Sequence, residues 1–177
     1  IVFASMDADV VLVVEAPDES RKRQSALALQ NFAQAVGIRA RKALLGFAND
    51  TQQEIALLYD PDLVRCAHDP QGAPTGQMGS RDAPRFDGVF RIDLDIDAAE
   101  DKVIFSKPPL EVAMQTLDGF EMRLIGAHLK SKAPHGAKTR DEAMRIGIAN
   151  RRKQQAQAVW LRQRIEAHLS AGESQIL

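Results

Sequence analysis

The apolar positions of the chain fall into two rhythms. Unbroken or alternating β-branched runs predict strands, and recurrences every three or four residues predict helices. The segment Ala8-Asp-Val-Val-Leu-Val-Val-Glu15 is a continuous run of the kind expected for a strand covered on both faces, central in its sheet. Pro17 and Asp18 break it. From Ser20 to Val36 the residues Ala26, Leu29, Phe32, Ala33 and Val36 keep helical spacing, and Gly37 supplies a stop. Further strand-type runs lie at Arg39–Phe47, Glu54–Asp60, Phe86–Ile96, Lys102–Ser106, Leu110–Thr116 and Glu121–Leu129. The stretch 69–84 is rich in Gly and Pro and reads as a mobile loop rather than a linker between domains. A long helix is predicted over Thr139–Ala171, opened by a Thr139-x-x-Glu142 capping box, with an apolar line of Met144, Ile148, Val159, Ile165 and Leu169. An early helix, a series of strands and a late helix, without internal repeats, predict an α+β domain over 1–177 with sheets packed together and helices outside.

Composition narrows the chemistry. Hydrophobic residues make up 45% and charged residues 27%, values that leave no case for a disordered or fibrous chain. The single cysteine, Cys66, has no disulfide partner and no second thiolate for a zinc site, so it reads as a small buried hydrophobe. No apolar run approaches the roughly 18 residues needed for a membrane span, and no basic region precedes the first apolar stretch. The cytoplasm is therefore the favoured compartment; secretion stays open, because the N-terminus looks trimmed.

A net charge of −1 conceals an asymmetry. From His128 to Arg164 ten Lys or Arg face only Asp141 and Glu142, a local balance of about +8. From Asp82 to Asp101 seven acids face Arg85 and Arg91, a balance of about −5.

Glu15 closes the first strand, where a carboxylate either meets water or holds a hard cation through its oxygens. His128, Lys130 and Lys132 alternate after the apolar strand Met122–Ile125. On an extended segment they would share a face and converge on one anion, the alternative being a solvated basic strand end. Other groupings read more blandly. Asp93, Asp95 and Asp97 suit a charged edge strand better than a cation site. Arg151-Arg152-Lys153 suits a solvated helix face better than a nucleic-acid contact. Trp160 sits at helical spacing and suits the core. His68 and His135 carry no role.

Four segments, in order, resemble the endonuclease/exonuclease/phosphatase superfamily, which contains the DNase I-like enzymes. They are Asp7-Ala-Asp-Val-Val-Leu-Val-Val-Glu15, Ile55-Ala-Leu-Leu-Tyr-Asp-Pro-Asp-Leu63, Lys107-Pro-Pro-Leu110 and Gly126-Ala-His-Leu-Lys-Ser-Lys132. The resemblance covers nearly the whole chain, and the His-Leu-Lys-Ser-Lys block is its most specific part. It implies a four-layer α/β/β/α sandwich with an active site at one end. By position Glu15 matches the family's metal-binding glutamate and His128 its phosphate-contacting histidine; Lys130, Lys132 and Asn49 lie where substrate contacts are expected. The chain departs from the family in carrying Val14 where Gln usually precedes the glutamate, and Ala127 where Asn often precedes the histidine. The family's upstream Asn, its Gly-Asp-x-Asn segment and its terminal Asp-His pair have no counterpart in these 177 residues. The resemblance therefore also implies a domain incomplete at its C-terminus, inactive as this fragment alone.

The function implied is hydrolysis of a phosphodiester with Mg²⁺, or Mn²⁺ in its place, nucleic acid being the favoured substrate. Two alternatives stand beside it: a phosphoesterase acting on lipid headgroups, and a noncatalytic module that binds phosphate or nucleic acid through the basic segment. Exposed sheet surface would also allow a homodimer.

Overall fold

In a computed structural model of the chain, residues 2–48, 53–71, 89–93 and 99–177 are described. In chain order the elements are α1 (Val2–Met6), β1 (Val10–Ala16), α2 (Ser25–Val36), β2 (Lys42–Leu45), β3 (Glu54–Tyr59) and β4 (Val64–His68). They continue with β5 (Val89–Ile92), β6 (Asp101–Ile104), β7 (Leu110–Thr116), β8 (Glu121–Gly126) and α3 (Arg140–Ser170). The fold is mixed α and β, with three small antiparallel sheets ordered β1-β3-β2, β4-β7-β8 and β5-β6, and a long helix near the C-terminus. The chain divides into two compact units. The first comprises Ile1–Gln71, Ser106–His128 and Gly172–Leu177, and the second Gly72–Phe105 and Leu129–Ala171.

The first unit is organised around β3. Its residues are buried from Glu54 to Leu58, and their alternation sends Ala56 and Leu58 toward α2 and Ile55 and Leu57 toward the second sheet. On the helix side the contacts are small: Ala16, Ala33, Ala40 and Ala56 let α2 lie close against the strands, with Leu29 and Leu58 filling the space between. On the other side Ile55 and Leu57 meet Leu110, Val112, Met114 and Leu124, so the two sheets pack face to face. Gly37 ends α2 as expected, at φ 72°, its N–H donating to the carbonyls of Ala33 and Gln34. The helix starts five residues later than predicted, at Ser25, whose N–H is held by the Glu19 carboxylate at 2.8 Å.

Two strand expectations are corrected. The run ending at Glu15 is an edge strand, not a central one: β1 pairs only with β3 among the described residues, leaving Leu12 and Val14 38% and 41% exposed. Its β-branched composition reflects contact with α2 through Val11 and Val13 and with the second sheet through Val10. The predicted strand Glu121–Leu129 stops at Gly126, which pairs with Leu110. The residues before Leu110 are Pro108 and Pro109, which have no N–H for a ladder, so β8 has nothing to pair with beyond that point. The strand β4, not foreseen, pairs with β7. The Gln175–Leu177 segment adds itself in parallel to β8 through hydrogen bonds with Arg123 and Ile125.

In the second unit, α3 opens on the foreseen capping box: Thr139 accepts from the Glu142 N–H at 3.1 Å and the Glu142 carboxylate accepts from the Thr139 N–H at 3.2 Å. The expected apolar line is not its buried face, for Met144, Ile148, Val159 and Leu169 are exposed. The buried positions are Asn150, Ala156, Gln157, Trp160, Arg164 and His168. Trp160 packs edge-on to Phe105 at 5.4 Å in a core with Phe90 and Val103, as its spacing suggested. Asn150 and Gln157, two turns apart, serve backbone groups: Asn150 donates to the Ala133 carbonyl at 2.9 Å, and Gln157 accepts from the Lys130 N–H at 2.6 Å.

Leu57 is fully buried between the two sheets of the first unit. Its replacement by Ala is expected to lower stability by roughly 2–5 kcal/mol, measured by urea denaturation. A loss below about 1 kcal/mol would mean that the sheets do not close over this position.

Candidate functional site

The first unit brings three charged or polar side chains together from distant parts of the sequence. Between the pairs Val14↔Ile55 and Ala16↔Glu54 the ladder skips one residue, so Glu15 forms a bulge. Its backbone is left-handed, at φ 67°. For a residue with a Cβ this conformation costs about 1 to 2 kcal/mol relative to the right-handed one, and the regular ladder from Val10 to Val14 keeps it in place.

Lys107 approaches Glu15 from the segment before β7. The residue before a proline is confined to extended backbone, so Pro108 limits how Lys107 enters the site. Its Nζ donates to Gln53 Oε1 at 2.7 Å and to Glu15 Oε1 at 3.2 Å. Lys107 is only 8% exposed, whereas the Glu15 side chain is 51% exposed, so the carboxylate remains open to solvent while the ammonium lies beneath the surface.

His128, two residues after β8, turns Nε2 toward the same carboxylate oxygen, 3.9 Å from Glu15 Oε1. Its Nδ1 is buried and has no hydrogen-bond partner among the described residues. Gly126 matters here, because a Cβ on it would come within 2.6 Å of Leu12 and 3.2 Å of Ile55. The missing side chain thus lets the end of β8 approach the other sheet next to the site. Desolvation first, and then the charge of Lys107, push the His128 pKa below its ordinary value of 6.5, with Glu15 opposing them. Both influences favour the neutral imidazole.

Glu15 and His128, 113 positions apart in the sequence, stand side by side at the end of the first sheet. Two of the remaining expected site residues are described. Lys130 and Lys132 belong to the second unit. The segment that carries them follows the end of β8 and is not a strand, so the alternation that would have aligned them with His128 is absent. Lys130 is half-buried, its backbone tied to Gln157, and Lys132 is exposed. Asn49, Asp95 and Asp97, with most of the 69–84 loop, lie outside the described residues. The sequence reading assigned no role to Lys107 or Gln53. The signal available for Lys107 was a lone cation held stiffly before two prolines.

Among the described residues no group of three or more His, Cys, Asp or Glu side chains is arranged to hold a metal ion. The oxygens that could serve a hard cation are those of Glu15 and the Gln53 amide. One carboxylate with a neutral oxygen suits Mg²⁺, which usually keeps several waters and shares its shell with substrate phosphate. A cavity of about 610 Å³ elsewhere in the unit, bordered by Arg65, Cys66, Gln115 and Arg123, contains none of the three site residues. Burial pushes the Cys66 thiol up to about 11, so this partly buried residue is an unreactive filler there.

No protein-family model matches the chain, and comparisons with curated proteins and with solved structures returned no match.

The lowered pKa of His128 has a defined sign. A folded state that prefers the neutral imidazole draws stability from it above the unfolded-state value, about 6.5, and loses that contribution as pH falls through this value toward the folded pKa. In an NMR titration the His128 resonance should move at a pH below 6.5. Lys107→Met should raise its midpoint and Glu15→Gln should lower it further, and shifts of the opposite sign would contradict the arrangement.

Proposed function

We propose that this chain contributes the metal and phosphate side of a Mg²⁺-dependent phosphodiester hydrolase, nuclease-like in substrate class, built on the four-layer α/β/β/α sandwich that its motifs resemble. The observation that supports this reading is the convergence of Glu15, Lys107 and His128, with Nε2 of His128 and Nζ of Lys107 both within 4.0 Å of one carboxylate oxygen. A carboxylate open to solvent, a sheltered ammonium and a neutral imidazole together suit a phosphate bound through a cation. Glu15 would hold Mg²⁺, with Mn²⁺ as a substitute. Bound there, the ion would supply neutralisation of charge on the phosphoryl oxygens.

The chain's own residues divide the remaining work. A neutral His128 donates a hydrogen bond to a phosphoryl oxygen and orients it, rather than arriving already protonated for the leaving group. Lys107 opposes the charge that accumulates on the phosphate as the transition state forms. Within the second unit, Lys132 and the exposed Arg151 and Lys153 of α3 offer cations of their own to a polyanion. That exposed basic face also favours a second reading, in which the protein binds nucleic acid without cleaving it.

Glu15→Gln and His128→Ala, each in the full-length protein, separate the two. Turnover of a phosphodiester such as bis(p-nitrophenyl) phosphate or plasmid DNA in the presence of Mg²⁺ should fall by about a hundredfold or more in both variants. Binding of DNA should persist. Absence of any Mg²⁺-dependent, Glu15-dependent cleavage alongside intact DNA binding would favour the noncatalytic reading.

A further inference from the structure

Two oxygens from different parts of the fold already converge on a cation in this site, and the cation is the side chain of Lys107. Glu15 Oε1 comes from the bulge in β1 and Gln53 Oε1 from the residue before β3, at 3.2 and 2.7 Å from the ammonium nitrogen. Of the two, the Glu15 carboxylate, open to solvent, is the donor that a divalent ion would take. The ammonium and the metal cannot both keep Glu15 Oε1 without placing a positive charge directly against a doubly positive one.

We propose that Lys107 is a built-in competitor for the cation site, so that a divalent metal takes Glu15 only as Lys107 releases it; this rests on the reading of Glu15 as a metal ligand. The released ammonium is not stranded. It is sheltered, its backbone is confined by Pro108, and Gln53 is its closer partner, so it stays near the carboxylate when the contact with Glu15 opens. A phosphate oxygen arriving with the metal gives it a new anionic partner. Metal and phosphate then favour one another, since each relieves a cost imposed on the other. Without substrate the metal binds weakly, and the site rests in a metal-free, internally neutralised state.

The test measures Mn²⁺ binding to the full-length protein by electron paramagnetic resonance, with no substrate present. Lys107→Met should bind Mn²⁺ more tightly than the wild type, by at least about tenfold. Glu15→Gln should abolish that site in either background. If Lys107→Met binds Mn²⁺ no more tightly than the wild type while Glu15 remains required, the competition is refuted and the metal-site reading survives. If neither protein shows Glu15-dependent binding, the metal-site reading fails and takes this inference with it. Lys107→Gln, which keeps a hydrogen-bond donor on a side chain one atom shorter, repeats the comparison should the methionine variant fail to fold. The wild type supplies an independent measurement: in NMR spectra of the lysine Cε–Nζ groups, saturating Mg²⁺ should move the Lys107 signal. A Lys107 signal unchanged at saturation would overturn the proposal.

Discussion

The extra residue in β1 is the constraint on which the site depends. Paired one-to-one with β3 as far as Val14↔Ile55, the strand regains register only at Ala16↔Glu54, and Glu15 is left without an opposite number, at φ 67°. In a regular strand, side chains at positions 14 and 16 share one face and position 15 takes the other. The bulge releases Glu15 from that choice, and its carboxylate meets Lys107 and His128 instead. Such a backbone persists because both flanks are anchored: Val11 and Val13 against the α2 cluster, and Ala16 fully buried within it.

The same constraint organises the electrostatics. A half-exposed carboxylate next to a nearly buried lysine would leave the ammonium costly to desolvate if the pair were broken, which is why Gln53 matters as a second acceptor. The lysine in turn, after burial, helps keep His128 uncharged. Gly126 allows the end of β8 close to the first sheet, so that the histidine two residues later reaches the rim where the bulge lies. Backbone geometry, proline placement and a missing Cβ thus build the cluster with few residues.

Much of this was legible in the chain, for reasons that differ from element to element. The capping box at Thr139 and the glycine stop at Gly37 are local signals that tertiary context left untouched. The strand ending at Glu15 was readable from its β-branched composition, and the resemblance implied that Glu15 and His128 lie close together. Whether that strand lay at the centre or the edge was not, because β-branched residues serve both places and only the partner count decides. The buried face of α3 was misread because it is built from Asn150, Gln157, Arg164 and His168 around Trp160, and two of these polar side chains satisfy backbone groups that no hydropathy pattern reveals. Lys107 escaped notice because its partners, Glu15 and Gln53, are 92 and 54 positions away.

The most direct test of the central claim, that the bulged Glu15 directs a carboxylate into a cation and phosphate site shared with His128, is a crystal structure of the full-length protein grown or soaked with Mn²⁺ and measured at the manganese absorption edge. The expected result is an anomalous peak at roughly 2 Å from a Glu15 carboxylate oxygen, with Lys107 withdrawn from that oxygen and His128 facing the same space. A manganese peak bound elsewhere, with Glu15 still joined to Lys107, would contradict the account.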